Sequence, residues 1–143
     1  MNRTTVAPVN AVSEPGRAGS RRAAVAARAT YAARVILIVV KWPVRPEFDE
    51  QWPELVREFT DAVRAEPGNV FFEWSRSVEQ PHTWVLVEGF TDAEAGAVHT
   101  ASDHFRKAVS EMPDWVSDTP SIMYVDSPDL AGWGPMGEVQ PRG

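Results

Sequence analysis

The 143-residue chain contains no cysteine. That excludes disulfides, thiolate metal sites and cysteine nucleophiles together, and it fits a reducing cytoplasm. No apolar run approaches the ~20 residues of a membrane helix, so no membrane partner is expected. No GxGxxG follows a strand, and neither GxxxxGK[ST] nor GxSxG occurs. Dinucleotide, nucleoside-triphosphate and α/β-hydrolase chemistry therefore lack their sequence basis. With three histidines and no thiolate, no metal site and no cofactor are expected.

What is present is unevenly charged. Residues 1–34 hold six arginines and one acid, a balance of +5, while residues 35–143 carry −11. An acidic folded part repels nucleic acid. The first 34 residues are rich in Ala, Arg, Pro, Gly and Ser and lack apolar periodicity. They read as a disordered extension, or as sequence upstream of a true start at Val35. A basic targeting peptide is the alternative.

From Val35 the pattern changes. "VILIVVKW" (Val35–Trp42) reads as a central strand. Phe48, Trp52, Leu55, Val56, Phe59 and Val63 recur at helical spacing, with the main helix expected from about Pro53 and stopped by "EPG" at 66–68. "VFFEWSRSVEQPHTWVLVEGF" (Val70–Phe90) is a hairpin. Thr91 and Glu94 match a capping box, and Val98, Ala101, Phe105, Ala108 and Met112 form a stripe. Ser102 can re-cap a second helical piece after a bend. "TPSIMYVD" (Thr119–Asp126) is an edge strand. The order β-α-β-β-α-β predicts an α+β, ferredoxin-like antiparallel sheet with both helices on one face. Its strands are apolar on both faces, which predicts a homodimer pairing sheet against sheet. The tail 127–143 carries Leu130, Trp133 and Met136 and is expected to dock on the domain or on the dimer partner.

The hairpin carries three charges, and two registers suggest themselves. With Val78 opposite Thr83, Glu73 faces Glu88, a repulsive pair. With Val78 opposite Trp84, Arg76 and Glu88 sit diagonally on one face as a structural ion pair. The second leaves fewer unpaired buried charges and is preferred.

"FFEWSRSV", "WVLVEGF", "AGAVHTASDHF" and "GWGPMGEV", in this order on this element pattern, resemble the antibiotic biosynthesis monooxygenase family, in its quinol monooxygenase subgroup. The similarity spans about Val35 to Val139. It implies a dimeric α/β barrel with a small-molecule site per subunit. The family's best-known members oxygenate quinols and anthrones with dioxygen and no flavin, haem or metal; others process signalling molecules or degrade haem. The expected function is thus cofactor-independent oxygenation of a phenolic substrate. A non-catalytic ligand-binding or haem-binding protein is the alternative.

His99 and His104 are the candidate bases, since imidazole titrates near neutrality, and both match histidines of the family's segment. Five residues apart, they would point about 140° from each other on a straight helix. Trp74, Trp84, Tyr124 and Phe105 are candidate substrate-binding residues. Packing alone also accounts for the two tryptophans, and a half-buried strand position for the tyrosine.

Overall fold

The computed structural model describes residues 35–143. The expectations for residues 1–34 lie outside that range. Strands β1 (Ile36–Pro43), β2 (Asn69–Arg76), β3 (Thr83–Phe90) and β4 (Ser121–Asp126) form one antiparallel sheet in the order β2-β3-β1-β4. The α-helices among the described residues are α1 (Trp52–Leu55), α2 (Arg57–Arg64), α3 (Ala93–Ala101) and α4 (Asp103–Glu111). The architecture is the ferredoxin-like α+β fold.

Strand β1 lies between β3 and β4, as its unbroken apolar run requires. Its period of two buries Ile36, Ile38 and Val40 under the helices, while Leu37 and Val39 on the other face are half-buried. Cross-strand pairing puts Ile38 between Glu88 and Tyr124, and Val40 between Leu86 and Ile122. The core joins Ile36, Ile38, Val40, Phe72, Leu86 and Phe90 of the sheet to Val63 of α2. A second cluster holds Trp52, Val56, Trp84, Ala108 and Met112.

The long helix expected from Pro53 is interrupted. Pro53 sits in the first turn of α1, and Val56, at φ −93 and ψ 1, separates α1 from α2. Trp52 and Val56 are both fully buried across that break. The capping box is also replaced: Asp92 caps α3, accepting from the Ala95 N–H at 2.8 Å. An aspartate cap uses a charged acceptor at the positive helix end.

The hairpin adopts neither expected register. Arg76 pairs with Trp84, Glu73 with Val87 and Phe72 with Glu88. The loop is longer than either register assumed. The Ser77 hydroxyl accepts from the Glu79 and Gln80 N–H groups, and His82 takes a left-handed φ of 53°. Val78 is therefore in the loop and fully exposed. Arg76 and Glu88 fall four positions apart along the sheet, too far to pair. Arg76 instead meets Asp49 and Glu50, at 3.5 and 3.0 Å.

Helix α2 packs on β2 and α4, and α3 on β3. Strand β4 keeps Ile122 and Tyr124 exposed on the helix side and Met123 exposed on the other. The tail runs back across the open face. The Val35 N–H donates to the Leu130 carbonyl at 2.8 Å, and Trp133 packs on Phe71 with ring centroids 5.8 Å apart. No described helix is long and apolar enough to cross a membrane.

Candidate functional site

The two candidate histidines meet because the helix carrying them breaks. Ser102 ends α3 with extended backbone (φ −70, ψ 155) and caps α4. Its hydroxyl accepts from the Phe105 N–H at 3.1 Å and donates to the His99 carbonyl at 2.6 Å. The break cancels the divergence of a straight helix. His99, in the last turn of α3, and His104, in the first turn of α4, now converge with ring centroids 6.3 Å apart.

Between them lies Glu66, two residues beyond α2. The turn that stops that helix fixes it: the Glu66 N–H donates to the Val63 carbonyl, and its carbonyl accepts from the Asn69 N–H. One carboxylate oxygen of Glu66, Oε1, contacts His99 Nδ1 at 2.9 Å and also His104 Nε2. A carboxylate only accepts, so both nitrogens carry the donated proton. In the neutral tautomer with that donor, the acceptor nitrogens are His99 Nε2 and His104 Nδ1. Phe59, Phe90 and Phe105 wall His99, with centroids 6.0, 4.9 and 5.1 Å away. The His99 side chain is 5% exposed, Glu66 9% and His104 29%, so access is from the His104 side.

Glu88 lies beside this cluster, on the core face of β3 between Leu86 and Phe90. Burial, and secondly the charge of Glu66, push its carboxyl up to about 7. Oε2 of Glu88 and Oε2 of Glu66 are both buried without a hydrogen-bond partner. The charge in the hairpin that most resembled a structural partner is therefore an unpaired buried acid.

The other expected site residues scatter. Trp74 stands in an aromatic cluster with Trp42 and Trp52, and its Nε1–H donates to the Thr60 hydroxyl at 3.0 Å. Trp84 is buried, with the Arg76 guanidinium 5.0 Å above its ring and its Nε1–H donating to Asp49 Oδ1 at 2.8 Å. Asp49 also binds His82 Nδ1 at 2.9 Å. Burial alone would raise the Asp49 carboxyl, but the hydrogen bonds from His82 and Trp84 and the Arg76 charge outweigh it and hold it below the ordinary carboxylate range. Phe105 touches His99 and shares a stripe of α4 with Val109, one turn on. A cleft of ≈ 500 Å³ opens beside that stripe, lined by Trp42, Val109, Met112, Pro113, Val116 and Pro120 among others. Tyr124 stands exposed on the same side of the sheet, on β4.

Sequence reasoning passed over Glu66, the residue that organises the site. It reads as part of a helix stop, and its partners lie 33 and 38 residues away. Asp49 was missed for the same reason.

The sequence profile of the antibiotic biosynthesis monooxygenase family matches residues 35–111, over half of the chain. No curated protein matches. Among solved structures, a protein of Caulobacter crescentus named for that family superposes with a TM-score of 0.62 at 21% identity, covering 71% of this chain and 97% of the other. One of Nitrosomonas europaea, similarly named, gives 0.61 at 21%, covering 66% and 90%. A conserved protein of Methanosarcina mazei gives 0.62 at 20%, covering 67% and 95%. At these identities the likeness shows the fold.

Proposed function

Because the chain belongs to the antibiotic biosynthesis monooxygenase family, we propose that it oxygenates a quinol, anthrone or similar phenolic small molecule with dioxygen, without a cofactor and as a homodimer. The observation that carries this reading is the His99–Glu66–His104 cluster, with Phe105 packed against His99 and access from the His104 side.

The chemistry asks little of a protein. A phenolic substrate bound at the cluster loses its proton to a histidine whose tautomer Glu66 fixes. The phenolate passes one electron to dioxygen, and the two radicals recombine as a peroxide at ring carbon. Loss of water leaves a carbonyl, so an anthrone CH₂ and O₂ become C=O and H₂O, and a quinol and O₂ become a hydroxyquinone and H₂O, with no external reductant. The low exposure of Glu66 and His99 strengthens their carboxylate–imidazole interaction. Glu66 stabilises the imidazolium that forms.

The test is oxygen uptake by the purified full chain with dihydroxynaphthalenes and anthrones. Uptake above the protein-free rate, lowered in a folded His99→Ala variant, supports the reading. Uptake at the protein-free rate with every quinol and anthrone tried overturns it.

A further inference from the structure

We propose that Glu66, His99 and His104 form a site for a divalent transition cation of the zinc type. The inference goes beyond the oxygenase reading and does not need it.

The donor set is the first argument. Glu66 Oε1, His99 Nδ1 and His104 Nε2 all lie within 4.8 Å of one another. Bonds of about 2.0–2.2 Å from zinc to nitrogen and oxygen require ligand atoms this close. Two imidazoles and one carboxylate suit zinc, cobalt or iron and do not suit calcium or magnesium, which take oxygen.

Charge balance is the second, independent argument. The Glu66 side chain is 9% exposed and Glu88 is buried, and each leaves one oxygen without a hydrogen-bond partner. No lysine or arginine forms an ion pair with either among the described residues. Buried acids without a cation are costly. A divalent ion on Glu66 would place positive charge beside its buried carboxylate.

Occupancy changes the histidines in a defined way. A cation takes the two nitrogens that now donate to Glu66, so their protons must leave or move to the far nitrogens. The lone pairs on His99 Nε2 and His104 Nδ1 are then lost. A loaded cluster has no histidine base, so cation binding and base catalysis exclude each other.

The experiment uses the full chain, dialysed against chelator and titrated with Co²⁺. The expected result is saturable binding of one ion per chain, a visible cobalt band, displacement by Zn²⁺ and no displacement by Ca²⁺. Glu66→Gln and His104→Gln, each checked for fold by circular dichroism, should weaken binding at least about ten-fold, since losing even an outer partner of a metal ligand costs that much. His82→Asn, which removes the one histidine outside the cluster, should leave it unchanged. No saturable binding by the folded protein at millimolar Co²⁺ overturns the proposal, as does binding indifferent to both cluster variants. Oxygen uptake by the metal-free chain is read separately. If uptake persists while cobalt fails to bind, the cation site falls and the oxygenase reading stands.

Discussion

Ser102 donates to the His99 carbonyl at 2.6 Å, and the same hydroxyl accepts the Phe105 N–H that opens the next helix. One side chain therefore both ends α3 and starts α4. Replacing Ser102 by alanine removes a cap worth about 1 kcal/mol and frees the two helices to straighten. Thermal melting should show a loss of that size. The more specific readout is the imidazole nitrogen resonances of His99 and His104, which should shift together as their shared contact with Glu66 is lost. A melt that drops while both imidazoles keep their shifts would mean that the bend is held by packing and not by Ser102.

Glu88 predicts an unusual dependence of stability on pH. Its folded pKa of about 7 lies above the ordinary glutamate value of 4.5. Between those values the folded state keeps a proton that the unfolded state has released. Stability therefore falls as pH rises through this window and levels off above it. The full effect is on the order of 3 kcal/mol. Glu88→Gln removes it, so in metal-free protein the variant should gain stability relative to wild type between pH 5 and pH 8. Chemical denaturation at those two pH values measures the difference. An unchanged difference would mean that Glu88 stays ionised in the fold.

Asp49 behaves in the opposite sense. It accepts from Trp84 Nε1 at 2.8 Å and His82 Nδ1 at 2.9 Å, with Arg76 nearby. Its carboxyl is lowered in the fold, so its contribution is complete above the ordinary carboxylate pKa and is lost as pH falls through the folded value. Asp49→Ala leaves the buried indole N–H without an acceptor, at a cost of about 1.5–3 kcal/mol for a bond to a charged group. Asp49→Asn keeps an acceptor and should lose less. Equal losses in urea unfolding would assign the effect to packing.

How much of this was legible depends on sequence distance. The strand β1 declared itself by six residues of unbroken hydrophobicity, residues 35–40, and its central place in the sheet follows from that. The bend at Ser102 was readable because an N-cap is local. The hairpin register was not, because it turns on loop length. A left-handed His82 and the Ser77 hydroxyl bonds extend the loop, and a slip of one residue exchanges every partner. Glu66 was illegible for a different reason. Nothing near it marks it as special, and only the tertiary fold brings His99 and His104 to its oxygen.

The open sheet face gives the last prediction. Leu37, Val39, Val87 and Val125 remain only half-buried there, Met123 is 63% exposed, and the tail covers only the end near Phe71. Such a surface is costly in water, and the proposed homodimer would bury it against a second copy. Met123 lies on the edge strand and its side chain makes no core contact, so Met123→Asp should leave the protomer folded. Across a dimer interface, however, it would place a carboxylate in an apolar seam at a cost of several kcal/mol. Sedimentation equilibrium should therefore give twice the 15.8 kDa chain mass for wild type and the single-chain mass for the variant. Circular dichroism should be the same for both. A monomeric wild type would remove the interface, and a dimeric Met123→Asp would move it to another face of the molecule.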